Sequence, residues 1–253
     1  MSGPSAAAMV LGRWECDGAV FPLPALNPER LRASLRALEE LEARRPGRVT
    51  WIGQPHLAER WAWDLALEPG IVDVVASILG PEVLVYATLI LTKPPRDPSL
   101  VTWHQDGGTS GFNRAPCVSA WIALRDSLPE SGCMRVIPGS HALPQLPHVQ
   151  SRAAHHLLPH NRPEIAVEVD EGAAVDVALR AGEMSLHHAN IVHGSRENRT
   201  CAPRTGFIVR YVTPAIPAAR DPVVRARGSL PCPHLAVRDR PPAPDELMPE
   251  DAP

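Results

Sequence analysis

The segment Trp103-His104-Gln105-Asp106 has the sharpest chemical character in the chain. In an extended strand residues i and i+2 point to the same side, so His104 and Asp106 would present an imidazole and a carboxylate to one point. That pairing suits a divalent first-row metal, and two histidines with one carboxylate leave open positions on one face of an octahedral ion. A His-x-Asp triplet also arises by chance, so a third ligand is required. The run GEMSLHHANIVHGSRENRT offers His187, His188 and His193. A strand, a tight break and a second short strand in that run could return its end to the side of His104. Arg204 follows eleven residues after His193 and opens the strand-like run GFIVRYV. A buried guanidinium near a metal suits a dicarboxylate, because its planar fork takes a carboxylate through two parallel charge-assisted hydrogen bonds. A single arginine at a strand end is more often solvated.

These groups need a rigid frame. Asn27-Pro28 opens a segment in which Leu31, Leu35, Leu38 and Leu41 recur at helical spacing, with proline at the first turn. The spacing predicts further helices over about His56 to Leu67 and Ile71 to Leu79, the second stopped by Gly80-Pro81. Beyond them the pattern shifts to strands. Val83 to Thr92 is β-branched and apolar, and Cys117 to Leu124 alternates, with Val118, Ala120, Ile122 and Leu124 on one face and Ser119, Trp121 and Ala123 on the other. Met134–Ile137, Ile165–Val169, Val175–Leu179, Met184–His187 and Gly206–Val212 are the other strand candidates, separated by Ser-Gly, Pro-Gly, Ala-Gly and His-Gly-Ser turns. Many short strands after a helical lead-in predict a β-barrel or sandwich core with helices packed outside. The His- and Pro-rich stretch 139–164 reads as a long irregular loop. Ten prolines after Tyr211 predict an extended tail rather than a central strand. The expected divisions are an N-terminal extension (1–24), one domain (25–215) with its helical lead-in over 25–80, and the proline-rich tail (216–253).

Composition removes several function classes. With 25 Lys plus Arg against 28 Asp plus Glu, the formal charge of -3 gives no reason to expect nucleic acid or an anionic membrane as partner. Hydrophobic residues at 44% are enough for a buried core, and no apolar run approaches the roughly 18 residues of a membrane span. The first residues lack a basic stretch followed by a clean apolar one, and the five cysteines are widely spaced without a CxxC, so a reducing cytoplasm is expected. His141, His148, His155, His156 and His160 match no zinc spacing. No GxGxxG, phosphate-binding lysine loop or GxSxG elbow is present.

WHQD, CVSAWIALRDSLPESGCMRVIPGSH, GEMSLHH and VHGSRENRTCAPR, in that order and spacing, resemble the phytanoyl-CoA dioxygenase family of iron(II)- and 2-oxoglutarate-dependent oxygenases over roughly residues 25 to 215. The resemblance implies a mostly β, double-stranded β-helix (jelly-roll) core with flanking N-terminal helices. It implies Fe(2+), 2-oxoglutarate and O2 as the reaction's cofactors, with His104, Asp106 and His193 on iron. His193 is preferred to His188 because the family's third ligand precedes Gly-Ser and stands the same distance before the arginine. Arg204 and Ser195 would hold the distal carboxylate of 2-oxoglutarate, with Gln105 and Trp121 lining its pocket and Lys93 a further cosubstrate-side candidate. A carboxylate at Asp106 implies hydroxylation rather than halogenation, since halogenating relatives carry a small residue there. Gln54, His56, Trp61, Gly108, Phe112, Arg114 and His188 are the expected surroundings of a small-molecule substrate. The Arg- and Pro-rich composition resembles that of high-GC bacteria, where such enzymes modify secondary metabolites. A cupin-type metal enzyme without 2-oxoglutarate and a non-catalytic metabolite-binding module are the alternatives on the same fold.

Overall fold

The computed structural model describes residues 6–45, 50–107, 116–158 and 162–243. Four helices, α1 (Ala6–Asp17), α2 (Pro28–Ala43), α3 (Arg60–Ala66) and α4 (Pro69–Leu79), pack on one face of a large sheet. That sheet is built from β1 (Ala19–Pro24), β2 (Trp51–Gly53), β3 (Val83–Lys93), β5 (Cys117–Ala123), β10 (Glu183–His188), β12 (Arg204–Val212), β13 (Val223–Arg227) and β14 (Val237–Arg238). Its order is β1-β10-β5-β12-β3-β13-β14, with β2 also on β3. A smaller sheet of order β4-β11-β6-β9 faces it, made of β4 (Val101–His104), β6 (Met134–Val136), β9 (Val175–Val177) and β11 (His193–Ser195). The two sheets form a jelly roll. Among the described residues no helix is long and apolar enough to cross a membrane.

The alternation of Cys117–Leu124 explains the layering. Val118, Ala120, Ile122 and Leu124 join Phe207, Val209 and Tyr211 of β12 in the core beneath the helices, together with Leu38, Leu65, Ile71 and Val75. Trp121 and Ala123 turn the other way, into the space between the sheets, with Met134, Val136 and Ile208. Helix α2 starts as its sequence dictates, with the Asn27 side chain accepting from the Arg30 N–H at 2.8 Å and Pro28 in the first turn. Gly80, at φ 86°, ends α4.

Four expectations are corrected. Residues 56–67 are not one helix: a 3-10 turn over Pro55–Leu57 precedes α3, because Gln54 takes a left-handed conformation (φ 51°) and Glu59 is extended. The segment 1–24 is not outside the fold, since it carries α1 and places β1 beside β10 (Ala19 opposite His187, Leu23 opposite Met184). The boundary at 215 falls inside the large sheet, where β13 pairs with β3 in the proline-free window between Pro222 and Pro231. The stretch 139–164 is not irregular throughout: β7 (His148–Gln150) pairs with β8 (Pro163–Ile165), the latter earlier than the strand expected at 165–169.

Candidate metal centre and its cavity

Strands β4 and β11 run antiparallel with His104 directly opposite His193, and the two ring centroids lie 4.1 Å apart. Each ring is oriented by its own chain. The His104 Nδ1 lies 2.9 Å from the Thr102 carbonyl and the His193 Nδ1 3.0 Å from the Ile191 carbonyl. A carbonyl only accepts, so Nδ1 carries the proton in both rings and each Nε2 keeps a lone pair for an ion. Asp106, two residues past His104, brings Oδ1 to 3.7 Å from the His104 Nε2, and the candidate ligand atoms of the three residues lie within 4.8 Å of one another.

Electrostatics set the protonation these atoms need. Burial pushes His104 down to about 3 and His193 to about 4. Burial alone would raise the Asp106 carboxyl, but it is held below the usual carboxylate range by Arg210, whose Nη2 is 2.9 Å from Asp106 Oδ2. At neutral pH the cluster is two neutral imidazoles and a carboxylate, with no proton to displace before an ion enters. The donor set fits a first-row divalent metal.

The cluster lies against a cavity of about 100 Å³. Arg204, Ser195 and Trp121 also line it, and Lys93 lies next to Ser195. Arg204 and Lys93 are opposite one another on β12 and β3, and both are buried. The Arg204 Nε and Nη2 donate to the Gly132 carbonyl at 3.2 and 2.6 Å, and its guanidinium carbon sits 5.1 Å from the Trp121 ring centroid. Gly206 has no side chain to spare here, since a Cβ would run into the Trp121 ring. Lys93 Nζ donates to Ser195 Oγ at 2.8 Å and to the Arg196 carbonyl. Burial, reinforced by Arg204, pushes Lys93 down to about 6. The polar contacts of these two side chains are to a hydroxyl and to carbonyls rather than to carboxylates, which leaves the corner suited to an anion.

Other expected residues stand elsewhere. Gln105 does not line the cavity: its side chain donates to the Asn190 carbonyl at 2.7 Å and accepts from the Leu146 N–H at 2.8 Å, bracing the end of β4. Gln54, His56 and Trp61 are on the helical side of the large sheet. Gln54 donates to Asp221 and accepts from the Thr88 N–H, His56 contacts Thr88 Oγ1 at 2.8 Å, and Trp61 packs on Phe207. His188 also stays out, stacked between Trp14 and His141 with its Nδ1 accepting from the Asn190 N–H. Gly108, Phe112 and Arg114 lie outside the described residues. Two of the loop histidines brace the frame: the His148 Nε2 accepts from the Gln105 N–H at 3.0 Å, and the His156 Nε2 is 3.0 Å from Thr102 Oγ1; His160 lies outside the described residues.

The cavity also holds residues the sequence reading did not single out: Arg210, Met134, Leu157 and Leu158. Strand parity could have found Arg210, which shares a face of β12 with Arg204.

The family profile described as Phytanoyl-CoA dioxygenase (PhyH) matches residues 14–206. The chain is 29% identical to an ectoine dioxygenase of Nocardia farcinica, covering 80% of this chain and 76% of that protein. It is 30% identical to a probable phytanoyl-CoA dioxygenase of Caenorhabditis elegans, over 56% of this chain and 48% of that one. Among solved structures it superposes on the non-heme monooxygenase ThoJ in its apo form with a TM-score of 0.75 and 33% identity, covering 92% of this chain and 88% of ThoJ. It shares its fold with the alpha ketoglutarate-dependent epimerase SnoN at a TM-score of 0.69 and 23% identity, over 82% and 83% of the two chains.

Proposed function

The chain belongs to the phytanoyl-CoA dioxygenase family, and we propose that it hydroxylates an unactivated C–H bond of a small molecule, releasing succinate and carbon dioxide. It is an oxygenase, and its cofactors are iron(II), 2-oxoglutarate and dioxygen. His104, Asp106 and His193 hold the iron. Arg204, with Lys93 and Ser195, takes the distal carboxylate of 2-oxoglutarate, and Trp121 forms the wall against which that cosubstrate lies. Iron with 2-oxoglutarate and dioxygen supplies the oxidising power, coupling loss of carbon dioxide from the cosubstrate to C–H oxidation. The residues of this chain supply placement. The Thr102 and Ile191 carbonyls fix the two imidazoles, Arg210 holds the outer oxygen of Asp106, and the Gly132 carbonyl and the Trp121 ring aim Arg204. Retention of a carboxylate at Asp106 favours hydroxylation over halogenation. Names of relatives such as ectoine dioxygenase support a small-molecule substrate, and a secondary metabolite or its precursor fits that class. The five free cysteines support a cytoplasmic setting.

The observation that carries this reading is the convergence of two neutral imidazoles and one carboxylate beside buried Arg204, which faces Lys93 across the two strands. Buried Arg204 with Lys93 beside it favours this reading over a cupin-type enzyme, which has no dicarboxylate to anchor. Anaerobic titration with iron(II) and then 2-oxoglutarate tests it. A weak visible charge-transfer band is expected, lost in Asp106→Ala. No band in the wild-type protein, or turnover after complete metal removal, refutes the assignment.

A further inference from the structure

We infer that His187 is a further ligand-positioning residue, whose Nε2–H donates a hydrogen bond to an acceptor atom that shares the ion with His104, Asp106 and His193. The inference rests on the metal assignment above and gives a role to a buried histidine which that assignment leaves unused.

Strand alternation brings this ring to the cluster. Met184 and Leu186 of β10 lie in the core beneath the helices, so His187 faces the smaller sheet. It lines the cavity, and its ring centroid is 5.3 Å from that of His193. Its register row runs through Ser119 to Arg210, which is ion-paired with Asp106, so His187 stands at the Asp106 end of the cavity rather than at the Arg204 end. His104 and His193 belong to the smaller sheet and His187 to the wall facing it. A further ligand of the ion, entering between the sheets, therefore meets His187.

The hydrogen bonding of this ring is the reverse of that in the two histidine ligands. In His104 and His193 a carbonyl holds the proton on Nδ1 and leaves the Nε2 lone pair for the ion. The His187 Nδ1 is buried without a partner, in a residue 3% exposed. Burial pushes this imidazole down to about 4, so at neutral pH it carries a single N–H. A buried N–H without an acceptor is rarer than an empty lone pair, which places the proton on Nε2, the outer nitrogen of the ring.

That tautomer makes His187 a donor and not a fourth ligand. Among the described residues only His104, Asp106 and His193 bring candidate ligand atoms within 4.8 Å of one another, and His187 stands beside them without joining them. An anionic atom bound to a divalent ion keeps lone pairs to spare and takes a charge-assisted hydrogen bond. The side chains of Leu157, Leu158 and Ile208, which also line the cavity, offer no acceptor that would claim the same N–H.

The probe is azide, a small anion that both binds metal ions and accepts hydrogen bonds and that suits a cavity of about 100 Å³. Full-length protein loaded with cobalt(II) and 2-oxoglutarate is titrated with azide, followed by the visible absorption of the ion and by the infrared stretch of bound azide. His187→Phe keeps an aromatic ring but no N–H. It should weaken azide about 10-fold or more, the worth of one hydrogen bond to a charged group, and move the stretch. His187→Gln, which supplies an amide donor, should recover part of the affinity. The cobalt(II) and 2-oxoglutarate constants, measured first on every protein, should hold within about threefold. The inference is overturned if His187→Phe binds azide within about twofold of wild type, or if azide leaves the wild-type spectrum unchanged up to about 100 mM. It is also overturned if azide and cobalt(II) weaken in step, which would make His187 only a packing partner of His193. Should His187→Phe not fold, His187→Leu, which also lacks a donor, decides by the same criterion. Wild type that binds no cobalt(II) refutes the metal assignment and this inference together, whereas normal cobalt(II) and 2-oxoglutarate binding with azide indifferent to His187 refutes the inference alone.

Discussion

Replacing Arg204 by alanine should weaken 2-oxoglutarate binding far more than it weakens metal binding. The guanidinium has five N–H donors. Its Nε and Nη2 are already engaged by the Gly132 carbonyl, which leaves the end formed by Nη1 and the second Nη2 proton as a fork for a carboxylate. Each hydrogen bond to a charged group contributes about 1.5–3 kcal/mol. Losing two, with some relief from water entering the truncated site and from Lys93 nearby, gives about 2–4 kcal/mol, or about 30- to 1000-fold in affinity. Arg204→Lys should fall between, because a point charge restores attraction without the fork.

The same substitution has a structural cost that must be separated from the binding effect. It strips the Gly132 carbonyl of its donors, at about 1–3 kcal/mol, and removes the cation beside Trp121. Each variant is therefore shown to be folded before titration. The assay is the dissociation constant of 2-oxoglutarate in the presence of cobalt(II), with the cobalt(II) constant measured on the same three proteins. Arg204 is not a ligand of the ion, so the metal constant should hold nearly steady. A folded Arg204→Ala protein that binds 2-oxoglutarate within about threefold of wild type, only about 0.7 kcal/mol, would refute the anchor assignment, and Lys93 would be next to examine.

Lys93 is pushed to about 6 from an ordinary 10.5, so between those values the unfolded chain binds more protons than the ligand-free fold and stability should rise with pH over that window; Lys93→Met should flatten that slope in calorimetric unfolding. Binding a dicarboxylate beside Lys93 should draw a proton onto it, so 2-oxoglutarate titrations near pH 7.5, compared in buffers of different ionisation enthalpy, should show proton uptake in wild type that Lys93→Met loses. With His104 near 3 and His193 near 4, cobalt(II) affinity should change less than about threefold between about pH 5.5 and 7.5, unlike an exposed histidine pair titrating near 6.5; a steep proton competition in that range would contradict the buried, carbonyl-tethered rings. Gly206→Ala should drive Trp121 out of place, costing about 1–3 kcal/mol of stability as overpacking does and weakening 2-oxoglutarate, both readable by thermal unfolding and titration of one preparation.

How much of this was legible beforehand depends on the range of the interaction. The i, i+2 alternation that pairs His104 with Asp106 is local, and it was readable. The same alternation turns Gln105 away from the centre, so its expected place on the cosubstrate was inconsistent with the parity that selected its neighbours. The alternation of Cys117–Leu124 separated the helical core from the inner face and put Trp121 on the correct side. Register between distant strands was not legible. Nothing local says that His193 faces His104, or that β1, six residues with two prolines, closes onto β10. Gln54, His56 and Trp61 failed for a related reason: whether a lead-in segment reaches the cavity depends on which face of the large sheet it covers, and these cover the outer one.

Strand β12 shows why the two kinds of information meet at this site. Phe207, Val209 and Tyr211 fix it to the helical layer, with the Tyr211 hydroxyl donating to the Ala66 carbonyl at 2.9 Å. The alternate residues, Arg204, Gly206, Ile208 and Arg210, are then obliged to face the cavity. Six residues at about 3.3 Å each set the two arginines about 20 Å apart at the backbone, one beside Lys93 and the other on Asp106. The packing of one face of a single strand therefore sets two cations on the other, Arg204 beside Lys93 and Arg210 against the metal cluster. A substitution that slipped β12 by one residue would bury both guanidinium groups under the helices and turn Phe207 and Val209 into the chamber. The register that stabilises the core and the register that places the chemistry are the same, and selection on either one maintains both.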